Sequence, residues 1–207
     1  MNRGLIGWVM LSAGIGSIGA LAAQTPGGAP VVWVEAERFE DYGGWSNDPQ
    51  FVDLMGSPYL LATGVGRPVA DAVTHLELPR AGRYRLWVRC KDWLPEYSPG
   101  RFRVIVDGRP VRTVFGRAER AAWQWVDGGW LKLPAGRVEL RLHDLTGWWG
   151  RCDAIVLSMS EGFRPAESLQ ELARQRERYG GVSREVCRRG PYDVVVVGGG
   201  LAGQFLQ

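Results

Sequence analysis

The chain of 207 residues reads as an all-β protein, an antiparallel β-sandwich or jelly roll over residues 31–162 with smaller appendages on either side. Three observations predict this. Short runs of alternating apolar and polar residues recur from Val31 to Ser158. Glycine, proline and aspartate turns punctuate them, and no segment of helical period interrupts them. Evenly spaced short strands of this kind build two-layer antiparallel folds. Hydrophobic residues make up 45% of the chain, enough to fill one such core.

Taken in order, residues 1–22 read as an export signal. Arg3 supplies the positive start, Leu5 to Ile18 is apolar and small, and Ala20-Leu21-Ala22 fits the small-x-small pattern that places the cut before Ala23. An uncleaved anchor is the alternative, because the apolar stretch approaches spanning length. The five glycines of residues 1–22 favour cleavage, and the absence of a nearby cysteine argues against a lipoprotein. Residues 23–30 are a flexible leader. The expectation is an exported protein, periplasmic or extracellular, with no membrane contact once the signal is removed.

Ten strands are predicted: Val31–Glu37, Tyr59–Ala62, Val73–Leu78, Gly82–Lys91, Phe102–Val106, Val111–Phe115, Ala122–Val126, Trp130–Leu133, Val138–His143 and Ala154–Ser158. Alternation is plainest in Tyr84-Arg85-Leu86-Trp87-Val88-Arg89-Cys90 and in Val138-Glu139-Leu140-Arg141-Leu142. A period of two gives one buried and one solvated face. The turns fall at Pro79 to Gly82, Asp107-Gly108, Asp127-Gly128-Gly129 and Pro134 to Gly136. After Ser160 the period changes. Pro165 to Tyr179 has helical spacing, with Pro165 suited to a first helical turn and Gly180-Gly181 to a stop. Residues 163–190 are therefore a helical linker into residues 191–207, or a cap on the sandwich.

Residues 191–207 start a Rossmann-type unit. Asp193 to Val197 suits a strand buried on both faces, and Gly198-x-Gly200-x-x-Gly203 comes directly after it. In that context the first glycine permits a tight turn, the second a close approach to a pyrophosphate, and the third close helix packing. The helix N-terminus then faces the phosphates. A working unit needs about 30 residues and an acid about 20 positions on. Gln204 to Gln207 cannot supply these, so the expectation is the front part of a longer protein, truncated at the start of its FAD- or NAD-binding domain. Alone it binds neither cofactor.

Composition narrows the remaining classes. A net charge of +3 is too small to argue for nucleic acid. Cys90, Cys152 and Cys187 are an odd set that cannot pair completely within one chain, and Cys90 and Cys152 read as buried thiols. His75 and His143 alternate with apolar neighbours and read as structural. No Ser/His/Asp constellation is defensible, and no catalytic residue is assigned.

Two sets of residues carry a resemblance. Val34-Glu35-Ala36-Glu37 and Arg151-Cys152-Asp153-Ala154-Ile155-Val156-Leu157 resemble the opening and closing strands of carbohydrate-binding modules with a galactose-binding-like jelly roll. The order of Gly56 to Leu61, Gly82 to Arg89, His143 to Gly147 and Tyr192 to Gly200 resembles exported bacterial FAD-dependent oxidoreductases that carry such a module ahead of the flavin domain. The resemblance spans most of the mature chain and breaks off at Gln207. It implies FAD held in the full-length protein by Gly198, Gly200 and Gly203.

The resemblance also implies a structural calcium. Glu35 and Glu37 point to one side of a strand, roughly 7 Å apart, and Asp153 joins them if the closing strand pairs with the opening one. Three carboxylates together call for a cation, and calcium takes carboxylates and carbonyls. The competing reading is a solvated face. A carbohydrate ligand is the further implication. Of the ten tryptophans, Trp33, Trp87, Trp123, Trp125 and Trp130 alternate within strands and pack the sandwich, whereas Trp93, Trp148 and Trp149 fall in loops. The loop tryptophans would stack on a sugar ring, with Asp92 and Arg151 bonding its hydroxyls, or would dock on the flavin domain. Three functions stand: part of a flavin oxidoreductase, a stand-alone calcium-stabilised glycan binder, and a remnant without a ligand.

Overall fold

The computed structural model describes residues 28–181. Its strands are β1 (Val31–Glu35), β2 (Trp45–Asp48), β3 (Tyr59–Ala62), β4 (Ala72–Leu78), β5 (Gly82–Lys91), β6 (Phe102–Val106), β7 (Arg109–Pro110), β8 (Trp123–Leu133), β9 (Gly136–Asp144) and β10 (Arg151–Ser158). Two helices accompany them, α1 (Val52–Met55) and α2 (Leu169–Gly180). One sheet runs β2-β3-β10-β5-β8, with β1 also paired to β10, and the other runs β4-β9-β6-β7. The pairings are antiparallel. The chain is the β-sandwich its alternation predicts.

The smaller sheet obeys the period of two strictly. Ala72, Thr74, Leu76 and Leu78 of β4 face the core, and Val138, Leu140 and Leu142 of β9 face it from alongside. The opposite face is solvated, and there His75 meets Glu40 at 2.7 Å and His143 meets Asp71 at 2.8 Å. Both histidines are part-exposed hydrogen-bond partners of a carboxylate. Between the sheets, Leu60, Tyr84, Leu86, Val88, Ile155 and Leu157 interlock with Phe102, Val104, Val106 and Leu140 in one core.

The larger sheet is buried on both faces over part of its width, and α2 is the reason. Val31, Trp33, Trp87, Ala154, Val156 and Leu172 form a second apolar cluster on its outer side. Trp33 meets Trp125 edge-on at 5.3 Å, and Phe163 meets Tyr179 at 5.8 Å. Gly180 lets the helix end approach the sheet, because a Cβ there would lie 3.1 Å from Trp33 Cδ1. Of the two readings open for this segment, the described part of it caps the sandwich. The helix begins at Leu169 after Ser168 rather than near Pro165, and Gly181 closes it in the left-handed conformation at φ +64°.

The differences from expectation have local causes. Asp127-Gly128-Gly129 is a bulge, not a turn: the β5 register steps from Leu86–Gly129 to Trp87–Asp127, so β8 runs unbroken through both expected strands. Trp45–Asp48 is an edge strand with too little alternation to read from sequence. Val111–Phe115 is mostly irregular, tied to β6 by the Val111 N–H to Val104 carbonyl bond and a Phe102–Phe115 bridge. Residues 1–22, most of the leader, Cys187 and the Gly198, Gly200, Gly203 turn lie outside the described residues. Among the described residues no helix is long and apolar enough to cross a membrane.

Candidate functional site

Three connections meet at one end of the sandwich: β3–β4, β5–β6 and β9–β10. Asp144, at the end of β9 and 1% exposed, gathers two of them. Its carboxylate accepts the N–H groups of Thr146 and Gly147 from its own turn and of Val69 across the gap, at 2.9–3.1 Å. Thr146 Oγ1 donates to the Pro99 carbonyl at 2.6 Å and draws in the third connection. Gly147 sits at φ +70° with room for no side chain, since a Cβ would fall 2.1 Å from the Arg67 carbonyl oxygen. Among the described residues, the non-glycine ones in the left-handed region are Val65, Ser98, Asp107 and Trp149, and all but Asp107 lie in these connections. Such strain persists only where surrounding contacts over-determine it, and it concentrates at functional sites.

Those loops present an aromatic cluster. Trp93 and Trp149 meet edge-on at 5.0 Å between ring centres, and Trp149 meets Trp148 at 5.4 Å. Trp93 Nε1 donates to the Trp148 carbonyl at 3.0 Å. Arg151 lies 5.7 Å from the Trp93 ring centre and donates to the Trp149 carbonyl at 2.9 Å. Trp93 and Trp149 are half-buried, while Trp148 is 39% exposed. The structure thus brings together four of the five residues expected here. Asp92 has a different task. It is 1% exposed, and its oxygens accept from Ser98 Oγ, the Leu94 N–H and the Ala118 N–H. It shapes the β5–β6 loop and does not face solvent.

Beside the cluster lies an open depression of about 650 Å3, lined by Glu96, Tyr97, Arg101, Arg117 and Glu119 among others. Tyr97 is 68% exposed. Sequence reading missed these residues and Asp144. The Asp144-x-Thr146-Gly147 turn is the one local signal available, an aspartate bonding its own backbone two and three residues on. An aromatic platform with charged side chains at its edge is a surface for recognition, apolar faces for contact and polar groups for orientation.

The second group of candidates lies elsewhere, on the outer side of the larger sheet. Glu35 and Asp153 are brought together because β1 pairs with β10, Glu35 opposite Ala154. Asp153 is the extra residue of a bulge, since Cys152 opposes Cys90 while Ala154 opposes Arg89. Glu37 joins them differently from expectation: β1 ends at Glu35, and Glu37 lies in the tight turn Ala36–Arg38. Asp153 accepts from Ser57 Oγ at 2.7 Å and Arg89 Nη1 at 2.8 Å. Arg176 of α2 enters the same space. Its Nη2 lies 2.8 and 3.0 Å from the Asp153 oxygens, its Nε lies 2.9 Å from Glu35 Oε1, and its Nη1 donates to the Met55 carbonyl. Glu35 Oε2 and Glu37 Oε2 are buried without a partner. Burial first, then the neighbouring carboxylates, pushes Glu37 up to about 8. Burial likewise pushes Glu35 up to about 7, against the pull of Arg176. Among the described residues no group of three or more His, Cys, Asp or Glu is arranged to hold a metal ion.

Comparison with known proteins finds no matching family model and no matching curated sequence. Solved structures do match. A GH26-CBM35 β-(1,4)-mannanase from Podospora anserina superposes with a TM-score of 0.51 at 23% identity, over 65% of this chain and 29% of that one. A family 35 carbohydrate-binding module from Clostridium thermocellum superposes with a TM-score of 0.50 at 17% identity, over 61% of this chain and 96% of that one. The fold is that of a carbohydrate-binding module. The sandwich corresponds to nearly the whole of the free-standing module but to less than a third of the mannanase.

Proposed function

We propose that this chain binds carbohydrate through the loop end of its sandwich, with Trp148 stacking on a sugar ring and Arg151, Tyr97 and Arg101 at its margin. One observation carries the reading: strained, mutually pinned loops leave a large indole 39% exposed, where full burial would be favourable by roughly 2 kcal/mol. The shared fold with proteins named as carbohydrate-binding modules supports it. Affinity electrophoresis through gels containing soluble mannans, glucans or galactans tests it. Retardation by at least one polysaccharide is expected, lost in Trp148→Ala and kept in Leu54→Ala, whose side chain is also exposed but remote in sequence from these loops. Retardation unchanged by Trp148→Ala and by Tyr97→Ala defeats the assignment.

A sequence observation favours a second, compatible reading. The apolar run Asp193–Val197 and the Gly198-x-Gly200-x-x-Gly203 pattern after it support an exported flavin oxidoreductase in which this sandwich precedes the FAD domain. The tryptophan cluster would then dock on that domain. The reading expects flavin absorbance to co-elute in gel filtration with a form of the protein in which Gly203 is followed by a helix, a second strand and an acid; no flavin on such a form would defeat it.

A further inference from the structure

The acidic cluster on the outer sheet face is where the family resemblance implies calcium, and its residues do not fit one. The resemblance offers such an ion the carboxylates of Glu35, Glu37 and Asp153. One guanidinium already contacts Glu35 and Asp153, and it takes the Met55 carbonyl as well. Arg176 donates to both Asp153 oxygens within 3.0 Å through Nη2 and to the Met55 carbonyl through Nη1, and its Nε lies 2.9 Å from Glu35 Oε1 in a charge contact without hydrogen-bond alignment. It is 6% exposed, and Arg89, 3% exposed, also donates to Asp153, at 2.8 Å. A divalent ion here would be forced against two buried guanidinium groups. The unpartnered Glu35 Oε2 and Glu37 Oε2 are the remaining donors. They belong to only two carboxyls, fewer oxygens than the six to eight that calcium takes.

We infer that Arg176 is the resident cation of this sandwich, an internal replacement for a structural metal, and that it ties the segment after the sandwich to the first and last strands. The choice of residue rests on its chemistry. A guanidinium offers five donors in a fixed planar fork, which suits simultaneous contact with carboxylates and a carbonyl on three separate segments. Asp153 is suited to be its main partner because a bulge re-aims the side chain at that point. The fold then needs no metal, and α2 is part of the domain.

Thermal unfolding of the purified protein, with and without millimolar calcium and after exhaustive chelation, tests this. The midpoint is expected to stay within about 1 °C across the three conditions, with no calcium retained after dialysis by elemental analysis. Arg176→Ala is expected to lower the midpoint by roughly 10 °C, because it leaves buried carboxylates without their counter-charge. Arg176→Lys, which keeps the charge but not the fork, is expected to lose less than Arg176→Ala. It also serves if the alanine variant does not fold. A wild-type midpoint raised by calcium or lowered by chelation, or Arg176 variants that melt with the wild type, would overturn the inference.

Discussion

Leu172 is the fully buried apolar residue of helix α2, and this makes the apolar part of its docking measurable. Leu172 is fully buried in the outer cluster against the larger sheet, whereas Leu169, one turn earlier, is 50% exposed. Both sit on the same short helix, where replacement of leucine by alanine carries no helical propensity cost. Leu172→Ala removes packed methyl groups from beside Trp33 and Trp87, and burial losses of this kind cost about 2–5 kcal/mol. For a domain of this size each kcal/mol moves the melting midpoint by roughly 2–4 °C. The expected fall is therefore on the order of 10 °C for Leu172→Ala and at most about 2 °C for Leu169→Ala. Differential scanning calorimetry of both variants, with tryptophan emission measured in parallel, reads the contrast. Emission should shift to the red in Leu172→Ala, because Trp33 and Trp125 lie under the helix. Equal shifts in the two variants, or a Leu172→Ala midpoint within about 2 °C of the wild type, would show that the helix does not rest on this face.

Cys90 and Cys152 are fully buried, and burial pushes the Cys90 thiol up to about 12 and Cys152 well above its ordinary value. In a Cys187→Ser background a thiol reagent at pH 8 should find no reactive group until denaturant is added, and then two. Gly147→Ala should deform the loop end, since φ is +70° and the new Cβ would meet the Arg67 carbonyl at 2.1 Å. The expected result is a lower midpoint together with loss of polysaccharide retardation, and normal retardation would count against the loop assignment. The raised Glu35 and Glu37 carboxyls face Asp153, Arg89, Arg176 and Arg38. The folded state therefore holds protons that the unfolded chain, near 4.5, has released. Their contribution is full below that value and is lost as pH rises through 7 to 8. The melting midpoint should fall between pH 6 and pH 9, and a rise over that window would contradict the reading.

How much of this was legible depends on how local each cause is. The alternation of Val138 to Leu142 and Tyr84 to Cys90 predicted strands because one face of each packs inward, and the inward-facing residues of both are buried. Cys90 and Cys152 were readable as buried thiols for the same reason. The pairing of Glu35 with the closing strand was readable only through resemblance, because strand order is a long-range property. The β8 bulge was misread as a turn, since Asp127-Gly128-Gly129 satisfies turn chemistry and only the partner strand decides otherwise. At the loop end, tryptophan positions were legible, but the role of Asp92 was not. Its donors, Ser98 and the Ala118 N–H, come from loops whose approach no local pattern announces. Arg176 was hidden most deeply. On the helix it looks like one more surface arginine in an Arg-Glu run, and its burial depends on where α2 lands.

That placement also accounts for the charge balance of the cluster. Three carboxyls face two guanidinium groups, Arg89 and Arg176, leaving one negative charge unmatched. Burying an uncompensated charge is costly, and a titratable group answers by changing its protonation instead. Glu35 and Glu37 both do so: each has an Oε2 without a partner, and burial holds their carboxyls protonated up to about 7 and about 8. With both neutral, Asp153 alone faces Arg89 and Arg176, and no negative charge is left for a metal to neutralise. Adding a divalent ion would leave the set positive even with both glutamates ionised. The arginines and the protons together neutralise the carboxyls that a metal would otherwise have to neutralise. For this reason the helix that brings Arg176 cannot be treated as a mere tether at the end of the sandwich.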